Sequence, residues 1–324
     1  MKTAKEIQDS FESYLQSLDY SRNPDNLYAP IRYVLSLGGK RIRPTLLLMA
    51  YNMYADDIER VFMTAAGMEI FHNFTLLHDD LMDRADLRRG NPTVHKKWNE
   101  NTAILSGDGM LVLAYRYLSG TDSKYKDQIL DIATETFTGI MEGQQFDMEF
   151  ETRDDVTESE YIEMIRLKTS VLLAACVKTG AVLGGATADD AALLYDFGEK
   201  LGLAFQLQDD LLDVYGDSKV FGKKIGGDIL CNKKTYLYIN AYLLADADQK
   251  AKLDRWAEYD GPDEQSKIAG VTGIYNEVGV RRLSEKLIDD LFGQAIEKLD
   301  RVSIESERKL LLKEYAKSLM NREL

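Results

Sequence analysis

Along most of this chain of 324 residues, apolar residues recur every third or fourth position, the spacing of one face of an α-helix. Ile31, Val34 and Leu35 form one such set. Ile129, Ile132, Ala133, Thr136, Phe137, Ile140 and Met141 form another. No series of alternating Val, Ile and Thr segments is bounded by Asn-Gly or Asp-Gly turns, so strands are not expected. Two stretches, at about residues 65–84 and 192–215, are apolar around much of their circumference, as helices at the centre of a bundle must be. Only 5 prolines occur, and no linker, low-complexity tract or repeat divides the chain. The pattern predicts an all-α protein of about ten or more helices, folded as a single domain over residues 1–324.

Two local patterns echo each other within those buried-looking helices. The first is Leu76-Leu77-His78-Asp79-Asp80-Leu81-Met82-Asp83, and the second is Leu207-Gln208-Asp209-Asp210-Leu211-Leu212-Asp213. On a helix, positions i and i+4 share a face, which sets Asp79 over Asp83 and Asp209 over Asp213. Like charges at that spacing repel by a few tenths of a kcal/mol even in water, and apolar flanks raise the penalty. Both helices are expected to stop soon afterwards, at Gly90-Asn91-Pro92 and at Gly216, so the carboxylates lie toward the negative end of the helix dipole. Three penalties in one place call for a counter-charge. Mg²⁺ fits, because it is held by one or two carboxylates together with substrate phosphate oxygens. A single acidic helix end would more often be a solvated surface feature; two with the same spacing are not. Neither has the alternating ligands and central glycine of a Ca²⁺-binding EF-hand loop.

Charge sharpens this reading. The formal net charge is -14, which argues against nucleic-acid binding, since that requires a basic footprint. Basic clusters in an acidic protein therefore stand out as anion sites. Gly38-Gly39-Lys40-Arg41-Ile42-Arg43-Pro44 joins two glycines, which permit close backbone approach, to three cations. Arg88-Arg89-Gly90 follows the first aspartates. Lys168-Thr169 interrupts an apolar helical stretch, and Gly222-Lys223-Lys224 and Asn232-Lys233-Lys234-Thr235 follow the second aspartates. Each alone would usually be a surface lysine or an exposed ion pair, and none has the glycine frame of a nucleotide-binding P-loop. Together they suggest two diphosphate groups bound side by side. His72 would by default be a hydrogen-bonded core histidine, and His78 and His95 lack the partner spacing of a zinc site. No Ser/His/Asp or Cys/His arrangement stands out.

Mean hydropathy is -0.30, and no uncharged apolar run approaches twenty residues, so neither a membrane span nor stable membrane insertion is expected. The polar start from Met1 to Glu6 does not resemble a signal peptide. Two cysteines, Cys176 and Cys231, give neither a disulfide framework nor a metal-ligand spacing. A cytoplasmic location is the natural expectation.

These motifs resemble those of the trans-isoprenyl diphosphate synthases, or polyprenyl synthetases, over nearly the whole chain. Asp79-Asp80-Leu81-Met82-Asp83 with Leu87-Arg88-Arg89-Gly90 is similar to the first aspartate-rich motif of that family. Phe205-Gln206-Leu207-Gln208-Asp209-Asp210-Leu211-Leu212-Asp213 is similar to the second. The resemblance implies a bundle of helices around a deep central cavity, a homodimer, three Mg²⁺ ions, and condensation of isopentenyl diphosphate with an allylic diphosphate. By motif, Asp79, Asp83 and Asp209 would ligate metal directly, with Asp80, Asp210 and Asp213 supporting through water. Arg88, Lys168 and Lys233, with Lys223 beside them, would hold the allylic diphosphate. Lys40, Arg43, His72 and Arg89 would hold isopentenyl diphosphate, His72 standing where some members have Gln. Which lysine of 223/224 and of 233/234 turns inward is left open, and Arg322 in the tail is given no role. The leaving diphosphate would be neutralised by metal and cations. The Thr169 hydroxyl, the Lys168 carbonyl and the Gln206 amide oxygen would stabilise the allylic cation, and the departed diphosphate would take the final proton.

For product length, Phe74 lies five residues before Asp79, with Phe71 further back on a nearby face. In the family, an aromatic there with a small neighbour such as Thr75 implies a twenty-carbon product, geranylgeranyl diphosphate. Farnesyl or longer-chain synthesis stays open, as does a non-catalytic regulatory subunit. A terpene cyclase would be expected to lack the second cluster and the isopentenyl clamp.

Overall fold

The computed structural model describes residues 1–216 and 225–321. As predicted, the protein is all-α. Among the described residues the sheet consists of two two-residue strands, β1 (Leu87–Arg88) and β2 (Asn91–Pro92), paired antiparallel with Leu87 opposite Pro92. The chain forms two compact units, neither continuous in sequence. The first contains residues 1–134, 175–192 and 303–312, and the second contains 135–174, 193–302 and 313–324.

In the first unit, α1 (Ala4–Ser17) starts at a capping box in which Thr3 and Glu6 satisfy each other's backbone N–H groups. It buries Ile7, Phe11 and Leu15, the i, i+4, i+8 stripe. Then come α2 (Asp25–Ser36), α3 (Ile42–Asn52) and a 3₁₀ turn at Ile58–Val61. Next is α4 (Phe62–Met82), which buries Ala65, Ala66, Met68, Ile70, Phe71, Phe74 and Leu77. That all-round burial makes it the central helix of its unit. After the short α5 (Val94–Lys97), α6 (Glu100–Ser119) packs along α4, its start capped by the Asn99 side chain on the Thr102 N–H.

The end of α4 departs from expectation. The helix stops at Met82 rather than running on toward Gly90. Arg84 adopts the left-handed conformation (φ 52°). The N–H of Ala85 then bonds the Asp80 carbonyl at 2.9 Å, and that of Arg84 bonds Leu81 at 3.2 Å. This double closure usually has glycine at its left-handed position; here arginine occupies it, so no sequence signal marked the stop. Asp79, Asp80 and Asp83 thus occupy the last turn and its cap.

The boundary between the units falls within α7 (Lys126–Phe150), α9 (Val171–Gly184), α10 (Ala188–Tyr215) and the last helix, Ser306–Met320. In α7, Ile129, Ala133, Phe137 and Ile140 are buried as the periodicity predicted, whereas Met141 is 46% exposed. The second unit holds α8 (Glu158–Ile165), whose N-terminus is a Thr157/Glu160 capping box. Its core gathers Phe150, Tyr161, Leu203, Leu207, Leu211, Tyr236 and Tyr275. It is completed by α11 (Gly227–Leu230), α12 (Tyr236–Leu244), α13 (Ala247–Ala257), α14 (Glu264–Val278) and α15 (Val280–Arg301), and α16 (Ser306–Met320) follows. The helical stretch Glu158–Gly184 is, contrary to expectation, long and apolar enough to cross a membrane by composition. Yet 78% of its apolar window is buried inside the protein, which marks it as core.

Close approach of helices is bought with small residues. A Cβ built on Gly180 of α9 would lie 2.0 Å from the Leu47 carbonyl oxygen of α3. Gly180→Ala must therefore push two helices apart, at a cost of roughly 1–3 kcal/mol. Urea unfolding should show a lowered midpoint; an unchanged midpoint would mean that the contact yields freely.

Candidate active site

In the first unit, the last turn of α4 presents its three aspartates in different settings. Asp80 is buried, and Arg88 on β1 forks onto its Oδ1, with Nε at 2.9 Å and Nη2 at 2.5 Å. Burial pushes the Asp80 pKa up, and Arg88 opposes that rise. Asp79 is half-buried and Asp83 exposed. The buried carboxylate is thus held by Arg88, and the i, i+4 pair lies nearer the surface.

The glycine loop before α3 carries the next group. Gly38 and Gly39 have φ of 73° and 142°, which only glycine adopts readily. A Cβ on Gly39 would meet the Arg89 guanidinium at 2.8 Å, and Arg89 donates to the Gly38 carbonyl. Arg41 is spent on structure. It is buried, bonds Glu69 at 2.8 Å and Glu12 at 2.9 Å, and donates to the Leu35 carbonyl. Arg43, in contrast, lies with Nη1 at 3.0 Å from His72 Nε2. Burial and the surrounding charges of Arg43, Arg89, Arg88 and Arg41 hold the His72 pKa well below the ordinary imidazole value. Burial likewise presses the Arg89 pKa down, with Arg41 and Arg88 adding to it. A neutral imidazole among arginines, one of them partly desolvated, is an environment suited to an anion. Lys40 is exposed at the end of this loop.

In the second unit, Lys168 and Thr169 occupy a π-type turn, Arg166–Ser170, between α8 and α9. Its widened bonding is seen in the Val171 N–H, which reaches back five residues to the Arg166 carbonyl. Such bulges recur at functional sites. Gly143 of α7 allows this turn to approach, since a Cβ there would meet the Lys168 nitrogen at 2.4 Å. A chain of hydrogen bonds runs from the turn: Thr169 donates to Gln206 Oε1 at 3.0 Å, and Gln206 Nε2 donates to Asp210 Oδ1 at 3.0 Å. The Tyr161 hydroxyl donates to the other oxygen of Asp210. Burial, with the Asp228 carboxylate adding to it, pushes the Asp210 pKa up to about 7, against the pull of Tyr161, Lys233 and Gln206. Asp209 and Asp213 are half-buried, and Asp213 Oδ2 accepts the Asp228 N–H at 2.9 Å.

Sequence reasoning missed Asp147. It lies on α7, 2.6 Å from Lys168 Nζ and 3.8 Å from Lys233 Nζ, and joins two residues that sequence spacing kept apart. Burial would raise its pKa, but the two lysines outweigh burial and hold it below the usual carboxylate value. The polar Gln144-Gln145 before it, following Gly143, was the available signal. Of the second lysine pair, Lys233 turns toward Asp147, while Lys234 pairs with Asp154 at 3.3 Å. Lys223, Lys224 and Arg322 lie outside the described residues. Tyr161, Asp228 and the Arg41–Glu69 pair were also missed, being partners without a motif of their own.

Among the described residues no three carboxylate, histidine or cysteine side chains converge as a ready-made metal cage. In each cluster one aspartate is buried, while its neighbours are half-buried or exposed.

A profile of the polyprenyl synthetase family matches residues 24–275. The chain belongs to the polyprenyl synthetase family. This synthetase is 40% identical over 302 residues to a geranylgeranyl diphosphate synthase of Methanosarcina mazei, covering 93% of this chain and 91% of that one. It is 36% identical over 319 residues to a geranylfarnesyl diphosphate synthase of Natronomonas pharaonis, with the same shares covered. A crystal structure of a geranylgeranyl pyrophosphate synthase superposes with a TM-score of 0.94 at 41% identity, over 100% of both chains. The synthetase is therefore a prenyltransferase, an enzyme of isoprenoid diphosphate synthesis.

Two predictions follow from the second unit. The folded protein holds the Asp210 proton up to about pH 7, whereas the unfolded chain releases it near the ordinary value of 3.8. Unfolding free energy in the metal-free synthetase should therefore fall as pH rises through that window, and Asp210→Asn should flatten the slope. Urea midpoints across that pH range test this; an Asn variant that keeps the slope would place the proton elsewhere. Asp147→Asn should lower kcat/KM for the allylic substrate roughly 10- to 100-fold, by loosening two cations at once. A loss confined to the isopentenyl substrate's KM would assign those lysines differently.

Proposed function

We propose that this synthetase joins isopentenyl diphosphate head to tail to an allylic diphosphate and stops at geranylgeranyl diphosphate. The observation that carries the length is Phe74. Its ring is buried on α4, 5.5 Å from the fully buried Phe71 ring and 4.7 Å from that of His78. Thr75 beside it folds its hydroxyl back onto the His72 carbonyl, so the neighbouring position presents no second ring. A growing prenyl tail following α4 away from Asp79 would meet the Phe74 ring one turn and a little more down the helix. The geranylgeranyl relatives support this length, and the geranylfarnesyl relative makes a twenty-five-carbon product the second outcome to test.

Asp79, Asp83 and Asp209 offer accessible carboxylates that would hold Mg²⁺, three ions in all with substrate present, and Asp80, Asp210 and Asp213 would support them. When bound, the metal would offset the negative charge that builds on the departing diphosphate. Lys168 and Lys233, held by Asp147, would bind the allylic diphosphate, to which Arg88 is assigned by motif. Lys223 joins them by motif alone. Arg43, His72, Arg89 and Lys40 would bind isopentenyl diphosphate, whose double bond must be held close to the allylic carbon to attack it. The hydroxyl oxygen of Thr169, fixed by its bond to Gln206, and the Lys168 carbonyl in the widened turn would face the developing cation.

Self-association into a homodimer is supported by α6, where Ile104, Leu105 and Val112 are 45%, 60% and 70% exposed. Three large apolar side chains on one helix are suited to a partner surface. Neither Cys176 nor Cys231 is in a disulfide, which supports a reducing cytoplasm as the location.

Incubating the purified synthetase with labelled isopentenyl diphosphate, Mg²⁺ and farnesyl diphosphate should yield one dephosphorylated twenty-carbon alcohol. Asp79→Ala and Asp209→Ala should abolish turnover with the fold intact, and Phe74→Ala should lengthen the product. Twenty-five-carbon or longer alcohols from the parent would keep the reaction and overturn the length. Failure with farnesyl, geranyl and dimethylallyl primers alike would leave a regulatory subunit as the reading.

A further inference from the structure

Glycine is disfavoured inside a helix, yet Gly107 sits in the middle of α6. The reason lies across the helix pair. A Cβ on Gly107 would stand 2.1 Å from His78 Nε2 and 2.5 Å from its Cδ2, so the imidazole fills the space of the missing side chain. One turn earlier on α6, the Ile104 carbonyl oxygen lies 3.2 Å from the same nitrogen. The ring is thereby fixed on two sides by backbone.

The other side of that ring meets Phe74. Their planes cross at 64° with centroids 4.7 Å apart, an edge contact. Phe71, Phe74 and His78 follow i, i+3, i+7 spacing, one face of α4. Phe74 is bounded by Phe71, which has no freedom to move in a fully packed core, and by His78, whose place is set by Gly107. Asp79 is adjacent in sequence but points about 100° away around the helix, so the contact bears on Phe74 rather than on the aspartate.

We infer that His78, seated on Gly107, is a positioning residue that sets the depth of the Phe74 ring and through it the length of the product. This rests on the reading of Phe74 as the floor for the growing chain. The two partners act in opposite senses. Removing the imidazole opens space on the Asp79 side of Phe74, into which the phenyl ring swings, and the floor rises. Adding a methyl group at position 107 drives the imidazole off α6 against Phe74 from the Asp79 side, and the floor is pressed deeper.

The test compares the parent with His78→Ala, Gly107→Ala and Phe74→Ala, each checked for a cooperative unfolding transition. Product lengths are read with labelled isopentenyl diphosphate and a geranyl primer, and a Mg²⁺ activation curve is taken for each. His78→Ala should shift output toward the fifteen-carbon product. Gly107→Ala should lengthen the main product by at least one five-carbon unit. Both should keep the Mg²⁺ midpoint within about twofold of the parent. Parent-like products from either folded variant, alongside a lengthened product from Phe74→Ala, overturn the inference and leave the floor in place. No lengthening from Phe74→Ala overturns the floor reading and this inference with it. A Mg²⁺ midpoint raised about tenfold with unchanged product length would reassign His78 to the support of Asp79. If one variant fails to fold, the other decides alone.

Discussion

The structure around the site depends on one constraint: a carboxylate taken out of water must be answered by a donor or a cation. Three aspartates meet it in three ways. Asp80 is forked by Arg88, Asp210 takes neutral donors from Tyr161 and Gln206, and Asp147 sits between two lysines. The difference in partner explains the difference in proton affinity. Two cations keep Asp147 ionised against burial, whereas neutral donors beside a second carboxylate let Asp210 hold its proton toward neutral pH. Fixing these side chains also fixes the helix ends that carry the accessible aspartates.

The π-type turn at Arg166–Ser170 does comparable work through the backbone. An extra residue in the turn redirects Lys168 and Thr169 without ending the helix, so the apolar faces of α8 and α9 stay in the core. Thr169 then reaches Gln206 on α10, and Lys168 reaches Asp147 on α7. Three helices of the second unit are thereby tied at one point by polar bonds rather than by packing.

Much of this was legible in the sequence. Spacing disclosed the helices, the central character of α4 and α10, and the two aspartate clusters, because periodicity and charge repulsion are local properties. The motifs, by resemblance, named the family. What escaped reading depended on distant contacts or on backbone geometry. Nothing local marks Asp147 as a partner of Lys168 and Lys233, and nothing marks Arg41 as consumed by Glu69 while its neighbour Arg43 meets His72. The end of α4 was misjudged because Arg84 takes a conformation that glycine usually signals. The apolar stretch through α8 and α9 shows the converse problem, since composition alone does not separate a membrane-crossing helix from a core one; only its burial does.

The interleaving of the two units has a consequence for recombination between relatives. Residues 175–192 and 303–312 belong with the first 134 residues, and boundaries fall inside α7, α9, α10 and α16. A chimera made at one crossover would therefore exchange part of one core while leaving the rest with its old partners, and mismatched side chains would meet within single helices. Inheritance by whole chain, or by blocks that respect all the segments of a unit, keeps each core intact. Substitutions in such an enzyme are expected to spread as compensated sets rather than by the exchange of halves.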